Sequence, residues 1–221
     1  MNRPTISEIQ KIFNNEIKGK CFNLPLTKNK GLPGIILENK LGIPNSTACL
    51  DCADGELKLF PLYKKKNGSI VSKETIAITT NGLSRKSLMQ PKKWIDSGLK
   101  KKTNKILFIS YFRDETTNNI TYLNSYKFDS THSCYADFEN DYNKLMEHFK
   151  TYGIRSYSEE EKTNWKNKYG KKRMPSLNTV NGKYIQIRTK GQGNGAPKTI
   201  AFYFRNVEFV RKIVMNINNN E

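Results

Sequence analysis

The chain has 221 residues, enough to bury a substantial core in one domain, and no internal repeat calls for a second fold. Thirty-eight Lys and Arg against 20 Asp and Glu give a formal net charge of +18, which favours a polyanionic partner such as nucleic acid. With 36% hydrophobic and 11% aromatic residues, the chain is too apolar for a disordered basic tail. A basic surface that serves solubility alone is the alternative.

The beginning of the chain, from Met1 to Ser7, has no apolar stretch of the kind found in signal peptides. No later segment approaches the roughly 18 apolar residues of a transmembrane helix. We therefore expect a soluble, intracellular protein, cytoplasmic in location, with no membrane contact.

The first two predicted elements are helices. Thr5 and Glu8 form a capping box before apolar residues at helical spacing, which predicts an amphipathic helix over residues 6–18. Glycine and proline at the entry and a glycine at the exit predict a second helix within residues 30–42. Glu38 lies in this mostly apolar helix, either facing solvent or leaning towards the acidic residues that follow.

Strands dominate the middle of the chain. Alternating apolar residues around Asn67-Gly68 predict a hairpin over residues 55–80, and residues 105–112 and 120–128 predict two more strands around an Asn118-Asn119 turn. Residues 81–104 are polar and basic, and no element is assigned to them.

The last part of the chain alternates helices and strands. The spacing predicts, in order, a helix over 135–152, a short helix from Ser158, strands over 184–190 and 199–205, and a closing helix over 207–217. The glycine-rich loop over 191–197 lacks the Gly-Lys-Ser/Thr ending of a nucleotide-binding loop, and we interpret it as an adaptable loop near DNA.

A short acidic stretch carries the pattern most typical of chemistry. Glu56 and Lys58 are two residues apart in a predicted strand and so share one face, and Asp51 and Asp54 precede them. Carboxylates of this kind bind divalent cations, and a lysine beside them orients or polarises water. The alternative is structural, since Asp54-Gly55 is also a common turn and Glu-x-Lys a common cross-strand charge pair.

A zinc site is a further candidate, and the least favoured. Cys49-x-x-Cys52 together with His132-x-Cys134 has the spacing of zinc ligands. A single Cys-x-x-Cys is more often a pair of small buried thiols.

Taken together, three motifs in this order resemble the MutH family of DNA endonucleases, which comprises the mismatch-repair nicking enzyme and related GATC-cutting type II restriction enzymes. The motifs are the glycine-rich helix that runs from Lys30 to Glu38, Asp51 with Glu56-Leu-Lys58, and the strands over 184–190 and 202–204. The resemblance covers roughly residues 5–215. The spacing from Asp51 to Glu56 is shorter than in MutH-type members, and Gly55 replaces the usual apolar residue before the glutamate.

The resemblance implies an α/β fold of the restriction-endonuclease-like, PD-(D/E)XK class, with a mixed central sheet flanked by helices and two lobes that form a DNA cleft. We expect a single endonuclease domain over residues 1–221, with the catalytic part mainly in 1–130 and the DNA-recognition part mainly in 131–221.

The resemblance also implies a set of catalytic residues. Asp51 and Glu56 would hold Mg²⁺, or Mn²⁺ in its place, with Asp54 as the alternative to Asp51. Lys58 would position the attacking water, and Lys102 falls where the family carries a further active-site lysine, with Lys100 and Lys101 close by. Glu38 would support this site or hold a second metal ion.

DNA reading is assigned by the same resemblance to the C-terminal hairpin, through Arg188, Lys190, Gly191, Gln192 and Tyr203. The implied partner is double-stranded DNA, bound by a monomer or weak dimer, and a restriction enzyme would have a cognate DNA methyltransferase. The implied activity is Mg²⁺-dependent, sequence-specific cleavage of DNA, with restriction at GATC favoured. The alternatives are repair nicking at hemimethylated GATC and a DNA-binding module without catalysis.

Overall fold

The computed structural model describes residues 3–25, 31–44, 48–80, 83–114, 116–172, 174–190 and 199–216. The α-helices within these ranges, numbered in chain order, are α1 (Ile6–Ile12), α2 (Leu32–Lys40), α3 (Arg85–Met89), α4 (Gly98–Thr103), α5 (Ala136–Tyr152) and α6 (Glu159–Tyr169). Two π-helical segments, Phe13–Ile17 and Asn206–Val214, extend α1 and close the chain, and 3₁₀ turns lie at Trp94–Asp96 and Ser133–Tyr135.

The strands form two sheets. They are β1 (Cys21–Asn23), β2 (Glu56–Lys64), β3 (Ile70–Ser72), β4 (Ile76–Thr79), β5 (Lys105–Arg113), β6 (Asn119–Asp129), β7 (Val180–Asn181), β8 (Ile185–Lys190) and β9 (Thr199–Phe204). The first sheet has the order β1-β6-β5-β2-β3, and the second has the order β4-β9-β8-β7. In the first sheet β2 runs parallel to β5 while the other pairs are antiparallel, so the predicted mixed sheet is confirmed.

The predicted hairpin over residues 55–80 is right only in its first part. β2 pairs with β3 around the turn at Asn67 and Gly68, and Gly68 has the positive φ of +90° that such a turn favours. The following strand, β4, pairs instead with β9 in the second sheet. Alternation identifies a strand and its buried face but not its partner, so the pattern did not reveal this crossing.

The predicted helices are confirmed with small shifts at their ends. A capping box begins α1 at Thr5 with Glu8, as predicted, and another begins α6 at Ser158 with Glu161. Residues 81–104, which had no predicted element, contain α3 and α4, and each begins at a serine whose hydroxyl accepts a backbone N–H of the first turn. These helices have only five and six residues, too few for apolar periodicity to be visible.

Hydrophobic clusters cover both faces of the first sheet. Ile106 and Phe108 of β5 face the larger cluster, which also contains side chains of the second sheet, α5 and the C-terminal helix. Leu107 and Ile109 face a smaller cluster formed with α1 and α2. The two sheets therefore share one core, and helices flank the first sheet as the sequence predicts. In the described ranges, no helix combines the length and apolar character needed to cross a membrane.

Candidate active site

Glu56 and Lys58 share one face of β2, as the strand alternation predicts. The Glu56 carboxylate has no solvent exposure, and its Oε2 accepts a hydrogen bond from Lys58 Nζ at 2.7 Å. Leu57 and Leu59 point to the other face and pack in the smaller cluster. Burying a carboxylate costs free energy unless the carboxylate is paired with a cation. The Lys58 contact supplies such a pair on this face of β2.

A second lysine reaches the same carboxylate. Lys102, in the last turn of α4, donates from Nζ to Glu56 Oε1 at 2.5 Å. The neighbouring Lys100 and Lys101 instead line a separate groove with Cys49 and other residues. Among the three consecutive lysines, Lys102 is thus the one in contact with Glu56, and each oxygen of Glu56 accepts one lysine.

The two aspartates before β2 have different surroundings. Asp51 Oδ2 accepts the backbone N–H of Leu57 at 3.1 Å, which holds this carboxylate beside the start of the strand. Asp54 Oδ1 accepts the backbone N–H of Ile6 at 2.7 Å, and its other oxygen forms an ion pair with Lys105. Asp54 therefore ties α1 to β5, whereas Asp51 has an oxygen that this strand contact does not use.

The loop between Asp51 and Glu56 is fastened to the beginning of the chain. Arg3 donates to the carbonyl of Leu50 at 2.6 Å, and Ala53 N–H donates to the carbonyl of Pro4 at 3.0 Å. Gly55 has no room for a side chain, because a Cβ there would lie 2.5 Å from the Lys105 carbonyl oxygen and 2.7 Å from Ile6. Glycine before the glutamate thus follows from close packing.

Glu38 lies close to these charges. Tyr122, in the core, donates its hydroxyl to the carbonyl of Pro33 at 2.7 Å and so fastens α2 to β6. Glu38 is half-buried, and burial raises the pKa of its carboxyl, as do the charges of Asp51 and Glu56, while Lys58 lowers it. The structure thus brings the predicted Glu38 to the same electrostatic environment as the acidic stretch.

The carboxylates of Asp51 and Glu56 are the candidate ligands for a cation. Burial raises the pKa of Glu56 and the charge of Asp51 adds to that, while Lys58 and Lys102 lower it. Mg²⁺ prefers carboxylate oxygens and is usually held by one or two of them plus substrate phosphate and water. No described part of the chain gathers three or more His, Cys, Asp or Glu side chains into a complete metal cage. Asp51 and Glu56, however, supply the oxygen donors and the mutual repulsion that suit a partly open magnesium site.

The zinc hypothesis finds no support in the geometry. Cys52 packs in the smaller cluster and Cys134 in the larger one, on opposite sides of the first sheet. His132 uses its Nδ1 to accept the backbone N–H of Cys134 at 3.2 Å. The four predicted ligands are therefore not brought together.

The predicted DNA-reading strands form an antiparallel pair, β8 and β9. Gln186 lies opposite Tyr203 and Arg188 opposite Ala201, so Arg188, Lys190 and Tyr203 share one face of the second sheet. Arg188 and Lys190 are exposed, while Tyr203 is half-buried. Burial raises the pKa of Tyr203, and the Arg188 charge partly offsets this shift. Gly191 and Gln192 lie outside the described residues.

A groove joins this face to the acidic site. It has a volume of about 350 Å³, and its lining includes Lys58, Glu74, Thr75 and Tyr203. Thr75 Oγ1 is also within hydrogen-bond distance of Arg188, at 3.2 Å. Glu74 and Thr75 carried no functional signal in the sequence, because they lie within the predicted second strand of the hairpin and reach this groove only through the crossing of β4 to the second sheet.

Comparison with known proteins gives a family for the segment that carries the site. Residues 44–133 match the family model described as "MutH: DNA mismatch repair enzyme MutH", and this range contains Asp51, Glu56, Lys58 and Lys102. Among solved structures, the chain is similar to a protein described as "Restriction endonuclease MvaI-cognate DNA substrate complex", at 13% identity and a TM-score of 0.40, over 91% of each chain. No curated protein matches the sequence significantly. Over residues 44–133, the segment that carries the candidate site, the chain is similar to the MutH family.

Proposed function

We propose that the chain is a Mg²⁺-dependent, sequence-specific endonuclease that hydrolyses phosphodiester bonds of double-stranded DNA, acting as a type II restriction enzyme at GATC. The observation that carries the proposal is the buried carboxylate of Glu56, which accepts Lys58 and Lys102 beside Asp51. This group lies within the segment that matches the MutH family.

Each residue of the group has a chemical role in this proposal. Asp51 and Glu56 hold Mg²⁺, or Mn²⁺ in its place, and Glu38 supports them or helps to hold a second ion. When bound, the ion polarises the phosphate and lowers the pKa of water. Two carboxylate oxygens offer about four lone pairs, so Glu56 can accept both lysines and still offer a lone pair to a cation.

The two lysines act on the water and the phosphate. Lys58 is 16% exposed and lines the groove of about 350 Å³, so its ammonium can orient water there. Lys102 is 14% exposed and contacts Oε1 of Glu56, the oxygen that Lys58 does not contact. From this position its charge can stabilise the negative charge that develops on the phosphate. Because Glu56 holds both ammonium groups in place, they need little reorganisation during the reaction.

Sequence reading is assigned to the face of the second sheet that carries Arg188, Lys190 and Tyr203. Arg and Lys match the acceptors of guanine in the major groove. Tyr203, on the same face of the sheet, would sense adenine or its methyl group. Gly191 and Gln192 belong to the same proposed contact. We further propose that a monomer or weak dimer binds the DNA, and that a cognate methyltransferase protects the host sites.

Plasmid cleavage tests this function. The protein is incubated with Mg²⁺ and plasmids that carry unmethylated, hemimethylated or fully methylated GATC sites. Double-strand cuts at unmethylated sites are expected for a restriction enzyme. Intact plasmid in every lane, together with retained DNA binding, would overturn the proposal in favour of a binding module, for which the short spacing between Asp51 and Glu56 is the supporting feature.

Repair nicking is the second candidate, and the description of the matched family favours it. That family model is named for a DNA mismatch repair enzyme. In the same experiment, single nicks confined to hemimethylated plasmid would support this activity over restriction.

A further inference from the structure

A second groove opens among the C-terminal elements, and its lining contains none of the acidic group around Glu56. Its volume is about 590 Å³. We call it the distal groove and define it by six of its cationic and hydroxyl-bearing side chains: Arg155, Ser156, Lys162, Ser176, Arg188 and Thr189. These residues come from the α5–α6 connection, α6, the segment before β7, and β8.

The backbone that carries Arg155 is held in place. Asn178 is 9% exposed, and its side-chain amide accepts Arg155 N–H and donates to the Arg155 carbonyl, both at 2.9 Å. Ser176 and Thr189 hydroxyls lie 2.8 Å apart and join the opposite sides of the groove. The exposed side chain of Arg155 thus extends from an ordered backbone, which lowers the entropy cost of binding a ligand there.

The charged side chains that line the distal groove are all positive among the described residues. Among its described lining residues there are three cations, Arg155, Lys162 and Arg188, and no Asp or Glu. Lys162 pairs with Glu159 at 2.5 Å, but both side chains are well exposed, and such pairs are weak and screened by salt. Guanidinium groups and hydroxyls are the donors that proteins commonly use for phosphate oxygens.

Arg188 connects the distal groove with the face proposed to read DNA. It lines the distal groove and also lies on the sheet face of Tyr203, which in turn lines the groove of Lys58. Neighbouring positions on one strand face are about 7 Å apart, which equals the axial rise of about two nucleotides. A duplex that passes Lys58 and Tyr203 therefore reaches the distal groove within a few nucleotides.

We propose that the distal groove binds backbone phosphates of the DNA away from the bond that is cut, with Arg155 as its principal contact. This inference rests on the proposed function, because it uses the same DNA path. Arg155 carried no signal in the sequence, where it is one isolated cation in a connection between two helices.

Binding experiments without divalent metal, which keep the DNA intact, test this contact. Affinity for a duplex with a central GATC site is measured by fluorescence anisotropy over a range of salt concentrations. Arg155→Ala should weaken binding about tenfold, as expected for a hydrogen bond to a charged group. The slope of log K against log salt should become shallower by about 0.9, the value for one phosphate contact. The loss should be equal on duplexes without GATC, because phosphates carry no sequence.

Two further variants and a set of shortened duplexes sharpen the test. Arg155→Lys should keep the salt slope but bind more weakly, because an ammonium lacks the two-pronged geometry of a guanidinium. Lys20→Ala, which removes an exposed charge next to β1, is the matched control and should change the affinity less than about twofold. Base pairs are then removed stepwise from one end of the duplex. The step that removes the phosphates bound in the distal groove should weaken binding by the wild type but not binding by Arg155→Ala.

The inference would be overturned if Arg155→Ala bound DNA with the affinity and the salt slope of the wild type. It would also be overturned if the loss of affinity were confined to duplexes that contain GATC. If Arg155→Ala fails to fold by circular dichroism, Lys162→Gln carries the test of the salt slope and Arg155→Lys the test of the affinity. The proposed function is judged separately by plasmid cleavage with the unsubstituted protein. If binding depends on Arg155 but the protein does not cleave, the proposed endonuclease function is rejected and the phosphate contact of the distal groove is retained. If the protein cleaves but binding does not depend on Arg155, the function is retained and the phosphate contact is rejected.

Discussion

Lys102 donates to Glu56 at 2.5 Å although 46 residues separate them in the chain. The parallel pairing of β2 with β5 explains the contact, because it sets Glu56 opposite Ile106. Residues just before β5, including the end of α4, therefore lie next to the beginning of β2. The geometry of the candidate site thus depends on the register that joins these two strands.

The first prediction concerns the buried carboxylate and its strand neighbour. Glu56→Gln and Lys58→Ala should each lower the single-turnover cleavage rate by about 10²-fold or more, since each removes a preorganised charge. Affinity for DNA without metal should change little. Lys64→Ala, at the exposed end of β2, is the control and should retain the wild-type rate. Full cleavage by either test variant would place the active site elsewhere.

The second prediction separates Lys102 from its neighbour. Lys102→Ala should lose cleavage and also lower the free energy of unfolding by about 1–3 kcal/mol, because it leaves one Glu56 oxygen buried without its partner. Lys101→Ala removes the same charge from an exposed position of the same helix and should have little effect on either quantity. Cleavage assays and urea denaturation measure both. Equal effects of the two variants would show that the Glu56 contact has no special role.

The third prediction tests the packing of the loop before β2. Gly55→Ala should destabilise the fold by about 1–3 kcal/mol, the usual cost of overpacking, because its Cβ would collide with the Lys105 carbonyl and Ile6. Gly34→Ala is the control: its Cβ would lie 3.9 Å from Glu38 Oε1, and alanine stabilises a helix interior by up to about 1 kcal/mol. Urea denaturation should give opposite signs for the two changes. A neutral Gly55→Ala would contradict the close approach.

The fourth prediction concerns thiol reactivity. Burial raises the pKa of Cys52 to about 12 and that of Cys134 to about 11, whereas Cys21 and Cys49 are exposed. Since the thiolate is the reactive form, iodoacetamide at pH 8 should label Cys21 and Cys49 and spare the two buried cysteines. Mass spectrometry identifies the labelled positions, and all four should react in urea. Rapid labelling of Cys134 in the folded protein would argue against its burial.

The fifth prediction concerns sequence reading by the second sheet. Lys190→Ala should reduce cleavage at GATC much more than it reduces non-specific binding, since a good base contact contributes about 1–3 kcal/mol of discrimination. Tyr203→Phe should alter the difference in cleavage between methylated and unmethylated sites. Equal losses on all DNAs, with an unchanged methylation response, would place specificity outside this face.

The sequence by itself determined the features that depend on residues close together in the chain. Capping boxes predict where α1 and α6 begin, because the cap and its partner are three residues apart. Strand alternation predicts that Glu56 and Lys58 share a face, and their side chains are indeed hydrogen-bonded. For Glu38 the pattern left two orientations open, and Lys102 was included only through resemblance to a family, since nothing within a few residues of either points to Glu56.

Only the tertiary structure decided which distant residues meet. It bonded Asp54 to Ile6 and Lys105, set Lys102 rather than its neighbours against Glu56, paired β4 with the second sheet, and made Arg155 and Arg188 line one groove. The physical reason is common to the first three. Each contact depends on which strands pair and in which register, and a pattern of alternating apolar residues is compatible with many pairings of equal local quality.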